Sequence, residues 1–275
     1  MKIKFWGVRG SIPVPGPRTV RYGGNTTCIE IRTDSGELII LDGGTGIFQL
    51  AQSLLREMPL TANVFITHSH WDHIQGLPFF IPLFVPGNKL KLHGAFDLVS
   101  GRGIEQVMDV QLQYSFFPIR SEELKASIEH CTLTPGVSVE IGDARITPVL
   151  LNHPVVNFGY RIDCNGKSVF FTGDHEPPYN IYSRDDSDFE TYQQIIADSS
   201  YTEEEYAKKK GWGHGTLDSS IRIARAAGAK VLYFTHHEPT RSDDDLDRLF
   251  NEINEKNPPQ GMEYRLAREG DEMTL

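Results

Sequence analysis

Six consecutive residues constrain this chain more than any other feature. His68-Ser69-His70-Trp71-Asp72-His73 packs three imidazoles and a carboxylate directly after the apolar run Val64-Phe65-Ile66. In an extended stretch, residues two apart point the same way, so His68 and His70 can grip one ion together. A turn after Trp71 lets Asp72 and His73 face a second ion beside it. Imidazole nitrogen with carboxylate oxygen, and no thiolate, suits zinc, and also manganese or iron. The end of a buried strand is where an α/β sheet usually carries its site. A solvated His-rich turn is the bland alternative, and three histidines and an aspartate at this spacing after a strand argue against it.

Three further residues close strand-like runs. His153 follows Thr147–Leu151, Asp174 follows Val169-Phe170-Phe171-Thr172-Gly173, and His236 follows Val231-Leu232-Tyr233-Phe234-Thr235. Singly, each reads equally well as a structural strand-end residue. Together they supply what two ions still lack, a third imidazole for each and a carboxylate to bridge them.

The remaining pattern fits one α/β domain over residues 1–275, because no linker or low-complexity run divides the chain. Strands are expected at Lys2–Trp6, Thr27–Arg32, Leu38–Leu41, Val64–Ile66, Arg145–Leu151, Phe158–Ile162, Ser168–Thr172 and Val231–Phe234. Gly7 to Asn25 reads as a long Gly/Pro/Arg-rich loop, often a functional element in a compact domain. Residues 95–130 read as irregular helical pieces capping one side. Thr216 is placed as a helix N-cap with Gly228 as the stop, and Ser242 opens the last helix. The acidic run Asp243-Asp244-Asp245 then belongs to that helix N-terminus rather than to a metal site. Phe79, Phe80, Phe84, Phe116 and Phe117 are expected mainly in the core, His93 and His130 carry no motif, and His237, His175 and Glu176 are left unassigned.

Charge and cysteine content narrow the function classes. With 27 basic and 37 acidic residues the formal net charge is −10, which repels the backbone of a long nucleic acid but tolerates a small anion held by cations in a pocket. Cys28, Cys131 and Cys164 are odd in number and far apart, which excludes a disulfide framework or a thiolate zinc site. The opening MKIKFWGVRG lacks the apolar stretch of a signal peptide, and no run reaches the roughly 18 apolar residues that span a membrane. A cytoplasmic location is the expectation.

The order HSHWDH, a distant His, GD after a strand and TH after another resembles the metallo-β-lactamase superfamily, over nearly the whole chain. The resemblance implies an αββα sandwich, two mixed sheets face to face with helices outside. It implies two divalent ions, zinc first: His68, His70 and His153 on one, Asp72, His73 and His236 on the other, and Asp174 bridging. Asp42, in Leu41-Asp42-Gly43-Gly44, matches an early strand-end aspartate that supports the site without binding metal. Such a centre can hydrolyse lactams, thioesters, lactones or phosphodiesters.

His214 in Gly211-Trp212-Gly213-His214-Gly215-Thr216, with Asp198 upstream, resembles the phosphodiesterase branch. There a His steadied by an acid serves the scissile phosphate and the leaving oxygen. The catalytic set implied is His214, Asp198 and Asp72. Relatives of that branch usually carry Ser or Thr directly after this His, whereas Gly215 and then Thr216 follow here. The tRNA-processing enzymes of the branch carry a long Gly/Pro-rich arm between the third metal His and the bridging Asp. Only 21 positions separate His153 from Asp174, which leaves no room for it. Phe5-Trp6-Gly7-Val8-Arg9-Gly10-Ser11 and Tyr22-Gly23-Gly24-Asn25-Thr26 are similar to a bacterial and phage group of small phosphodiesterases, which implies that Asn25 and Thr26 contact phosphate and that the chain pairs as a homodimer. The expected activity is hydrolysis of a small nucleotide phosphodiester, a 3′,5′-cyclic mononucleotide in first place. An RNA 3′-end nuclease, a lactonase or thioesterase, and a non-catalytic binding protein are the alternatives.

Overall fold

The computed structural model describes residues 1–176 and 193–275. Alternating apolar residues form strands β1 (Lys2–Gly7), β2 (Cys28–Arg32), β3 (Leu38–Leu41), β4 (Thr61–Phe65), β5 (Lys89–Gly94) and β6 (Ser127–Thr132). The second half adds β7 (Val139–Ile141), β8 (Ala144–Leu151), β9 (Asn157–Cys164), β10 (Lys167–Phe171), β11 (Gln194–Asp198), β12 (Val231–Thr235), β13 (Glu263–Leu266) and β14 (Glu272–Thr274). They make two seven-stranded mixed sheets, in the orders β14-β1-β2-β3-β4-β5-β6 and β13-β12-β11-β10-β9-β8-β7.

Period-two alternation decides which core each side chain enters. On β3, Ile39 and Leu41 face the second sheet, while Leu38 and Ile40 face outward. The inter-sheet core joins Ile3, Phe5, Ile29 and Phe65 to Phe158, Tyr160, Phe171 and Tyr233. The outer face of the first sheet is covered by α1 (Gly46–Ser53) and α3 (Ile104–Gln111), and that of the second by α5 (Leu217–Ala226) and α6 (Asp243–Lys256). Each large apolar side chain so buried contributes about 1.5–3 kcal/mol. The four layers are the αββα sandwich. No helix among the described residues is long and apolar enough to cross a membrane.

Strand direction gathers the site. β3 and β4 are parallel, as are β10, β11 and β12. β8 runs antiparallel to β9, which runs antiparallel to β10, so β8 ends on the same side as β10. The residues after β3, β4, β8, β10, β11 and β12 therefore meet at one rim.

One expectation needs correction. Residues 95–130 are not wholly helical pieces: the chain passes through α3 and a short 3₁₀ turn at Ser121–Glu123, then enters β6 on the edge of the first sheet. An edge strand shows little burial contrast, so Ser-Ile-Glu-His-Cys-Thr carries a weak pattern. Of the five phenylalanines expected mainly in the core, Phe80 is buried there and Phe84 and Phe117 pack against it, while Phe79 and Phe116 lie 56% and 72% exposed.

His93 on β5 packs flat against Phe65, ring centroids 4.1 Å apart, with Nε2 3.2 Å from Asn63 Oδ1. Burial, helped by Lys91, pushes its pKa down to about 4 from an ordinary 6.5. As pH falls from 6.5 the unfolded chain binds this proton before the folded one does, so stability is lost progressively down through pH 4. Between pH 7 and 5 the loss is on the order of 2 kcal/mol. Urea midpoints of wild type and His93→Gln at both pH values check this: the wild type should lose that much more than the variant, and parallel losses would contradict it.

Candidate metal centre

After β4 the chain runs Ile66-Thr67-His68-Ser69-His70 into α2 (Trp71–Ile74). Tyr160 donates to the Ile66 carbonyl at 2.6 Å and the Phe158 N–H to the Thr67 carbonyl at 2.9 Å, which pins this segment to the second sheet. His70 is extended (φ −64°, ψ 150°) and helix starts immediately after it. That change of direction separates the His68/His70 pair from the Asp72/His73 pair.

Three groups of four donors result among the described residues: His68, His70, His153 and Asp174; Asp72, His73, Asp174 and His236; and Asp174, Asp198, His214 and His236. Asp174 belongs to all three. Its Oδ2 lies 3.6 Å from His68 Nε2 and 3.9 Å from His153 Nε2. Its Oδ1 lies 3.1 Å from both His73 Nε2 and His236 Nε2. Asp72 Oδ2 is 3.1 Å from His236 Nε2, and His70 Nδ1 is 3.0 Å from His153 Nε2. Donors of a tetrahedral ion with bonds near 2.1 Å stand roughly 3.4 Å apart, so these spacings fit two ions sharing one carboxylate. Buried polar atoms support this: His68 Nε2, His73 Nε2 and Asp174 Oδ1 make no hydrogen bond, although the last two are 3.1 Å apart. Unpaired buried polar atoms are costly, and cations would satisfy all three.

The far side of three of these rings is held. Asp42 Oδ2 is 2.7 Å from His73 Nδ1, while Asp42 Oδ1 accepts from the Thr67 N–H at 2.7 Å. A carboxylate there takes the Nδ1 proton and leaves Nε2 to bind. Asp42 sits in left-handed backbone (φ 62°), and Gly44 follows because a Cβ would come within 2.3 Å of the Asp72 carbonyl oxygen. His153 Nδ1 donates to the Gly213 carbonyl at 2.9 Å. His236 Nδ1 lies 2.9 Å from the Ser200 hydroxyl, which reaches Asp198 Oδ1 at 2.6 Å.

His214 completes the arrangement. Its Nδ1 is 3.0 Å from Asp198 Oδ2 and 3.6 Å from Asp174 Oδ2, and its ring stacks on His236 at 4.9 Å. Burial lowers the His214 pKa, but Asp198 and Asp174 outweigh it and lift it to about 9. Burial works against the charge on Asp174 as well, yet His236, His73 and His214 hold it well below the usual carboxylate range. A dication on Asp174 would oppose the rise at His214.

The long loop between β1 and β2 does reach the centre, through other residues than Asn25 and Thr26. The Ser11 N–H donates to Asp72 Oδ2 at 2.7 Å, and Gly10 lies so close to His236 that a Cβ would sit 2.3 Å from its ring. Asn25 Nδ2 donates instead to Glu269 at 3.0 Å. The fully buried Thr26 hydroxyl accepts from the Thr45 N–H at 2.8 Å and from Gln75 Nε2 at 3.2 Å. Their side-chain hydrogen bonds are made to Glu269, Thr45 and Gln75. His237 also turns away, donating to the Ala267 carbonyl at 2.8 Å.

Glu176 is the residue sequence reasoning missed. Its buried carboxylate accepts from the Gly211 N–H at 2.6 Å and the Gly213 N–H at 2.7 Å, and so shapes the turn that carries both the Gly213 carbonyl and His214. Its nearness to Asp174 in the chain was a signal, but its partners lie some thirty-five positions away. The departure at Gly215 also has a cause. A Cβ there would meet the Asp198 carbonyl oxygen at 2.9 Å, and the Thr216 hydroxyl is committed to capping α5 and to Glu203 at 2.7 Å.

Asp42→Asn should lower metal affinity by about 10–100-fold with the fold retained, because the amide cannot accept from both Thr67 N–H and His73 Nδ1–H. Chelator competition followed by elemental analysis, with circular dichroism as the fold control, measures this. Unchanged affinity would remove Asp42 from the site.

Residues 38–237 match the family described as the Beta-lactamase superfamily domain. A ribonuclease Z from Pyrobaculum aerophilum is 28% identical over 236 residues, 73% of this chain and 76% of the relative. The solved human tRNase Z, short form, superposes with a TM-score of 0.70 at 18% identity, covering 100% of this chain and 99% of that one. A diphosphatase from the PhnP family gives 0.69 at 21%, covering 100% and 97%. At these identities the superpositions bear on the fold.

Proposed function

Since the chain belongs to the beta-lactamase superfamily, we infer that it is a metal-dependent hydrolase and that the bond it cleaves is the phosphodiester of a nucleotide. The observation that carries the substrate class is the His214–Asp198 pair, 3.0 Å apart and 3.6 Å from the shared Asp174. Hydrolysis of a lactone or thioester has no need of a second, carboxylate-steadied imidazole at this position.

Two zinc ions are the proposed cofactors, with manganese or iron(II) compatible with the same donors, and they would supply Lewis acidity and lower the pKa of water. His68, His70 and His153 hold one side and Asp72, His73 and His236 the other, with Asp174 between. Asp198 takes His214 Nδ1, so the nitrogen left for substrate is Nε2. There it can stabilise charge on the phosphate and give a proton to the departing alkoxide. Asp72 orients the centre through the Ser11 N–H and His236.

Substrate size has two supported readings. The acidic balance and the short His153–Asp174 connection favour a small nucleotide such as a 3′,5′-cyclic mononucleotide. The relatives named ribonuclease Z favour an RNA 3′ end. The homodimer implied by the sequence resemblance remains part of the proposal.

The test is turnover of cyclic mononucleotides, dinucleotides, an RNA 3′ end and bis-p-nitrophenyl phosphate by metal-loaded protein and by His214→Ala. The variant should lose about 10²–10⁴-fold on nucleotides at unchanged metal content. It should lose less on the nitrophenyl ester, whose leaving group needs no proton. A fully metallated protein that hydrolyses lactones or thioesters but no phosphodiester would overturn the reading.

A further inference from the structure

The chain has three tryptophans, and two of them are exposed. Trp6 is packed against the first sheet's outer core, its indole N–H on Glu30. Trp71 and Trp212 are 80% and 62% exposed. Leaving a large apolar ring in water forfeits the burial that usually places it in a core or an interface.

Both tryptophans are next in sequence to residues that belong to the cluster or hold it. Trp71 stands between His70 and Asp72. Trp212 precedes Gly213, whose carbonyl holds His153, and His153 Nε2 is 3.0 Å from His70 Nδ1. The two tryptophans thus sit on the two chain segments that the His70–His153 contact brings together.

Their surroundings differ. Trp71 borders a cavity of about 270 Å³ that also touches His68, with Ile74, Val107, Val110 and Val156 among its apolar walls and Arg102 among its polar ones. Trp212 stands next to the chain's one lysine triplet, Lys208-Lys209-Lys210, with Lys209 Nζ 5.9 Å from its ring centroid and much of the indole still exposed. Lys208 pairs with Glu204 and Lys209 with Glu238, whereas Lys210 is exposed and forms no ion pair among the described residues. In a chain of net charge −10, an uncompensated cation two residues before Trp212 is suited to phosphate.

We propose that the centre is flanked by two nucleobase subsites, a pocket behind Trp71 and an open platform on Trp212 with Lys210 beside it, so that the substrate carries a base on each side of the scissile phosphate. This rests on the phosphodiesterase reading above and chooses within it: the substrate is at least a dinucleotide, linear or cyclic, rather than a cyclic mononucleotide. Flat aliphatic walls and an indole suit a base, every base offers a π-face for stacking, and the chemistry tolerates any sequence. Arg102 supplies hydrogen-bond donors to a base edge or a terminal phosphate.

Steady-state kinetics on a dinucleotide, a 3′,5′-cyclic mononucleotide and base-free methyl p-nitrophenyl phosphate test this, with metal-loaded wild type, Trp71→Ala, Trp212→Ala and Lys210→Ala. Each tryptophan variant should raise KM for the dinucleotide about tenfold or more with kcat nearly retained, and so lower the dinucleotide to base-free ratio of kcat/KM by the same factor. A dinucleotide phosphorothioate should quench indole fluorescence in the wild type, and each tryptophan variant should bind it about tenfold more weakly. Unchanged dinucleotide KM and binding in both variants would overturn the proposal. So would a dimer that becomes a monomer in the variants without loss of binding, since the indoles would then be a self-association face. If no phosphodiester is turned over, the enzymatic reading fails, and the fluorescence titration still decides on the subsites.

Discussion

The Asp174 carboxylate is the point on which the rest of this structure turns. One oxygen faces His68 and His153, the other His73 and His236, and the whole group is buried. A buried carboxylate among buried imidazoles is costly unless charges and donors are matched. Cations between them would answer that cost, and metal binding would then contribute to the folding energy of this rim as well as to the proposed chemistry. The parallel runs of β3–β4 and β10–β12, with β8 alongside, deliver those groups, together with Asp42 and Asp198, from six strand ends to one place.

Around that point, each supporting contact comes from a different segment. Asp42 holds His73, the Gly213 carbonyl holds His153, and Ser200 links His236 to Asp198. The turn Gly211-Trp212-Gly213-His214 does several jobs at once. Glu176 fixes its two glycine N–H groups, both glycines adopt left-handed backbone, and a Cβ on Gly213 would collide with His153 at 2.3 Å. The same four residues therefore position a ligand ring, offer His214 and expose an indole. On the proposed reading, a shift of that turn would change metal geometry, proton donation and substrate contact together.

Asp198 shows how one buried carboxylate couples two imidazoles. It accepts from backbone N–H groups of His175, Ser200 and Gly215, which fix it in place. One oxygen then meets His214 directly and the other reaches His236 through Ser200. The imidazole that would meet the leaving group and one that would meet a metal are thus tied to the same anion.

The sequence by itself determined much of this. HxHxDH after an apolar run, with His153, Asp174 and His236 each closing a strand-like run, marked all seven residues that the structure gathers, because ligands at strand ends leave a periodic trace. The two-sheet sandwich was legible through the resemblance, and α6 through Ser242 and its acidic first turn. Tertiary structure alone decided the rest. β6 at an edge and the wholly buried β11 lack the alternation that marks a half-buried strand. Asn25 and Thr26 look available in sequence, but Glu269, Thr45 and Gln75 use their hydrogen bonds. Glu176, Ser11 and the Gly213 carbonyl act through partners distant in the chain. Such contacts leave no local periodicity, so only folding reveals which donor meets which acceptor.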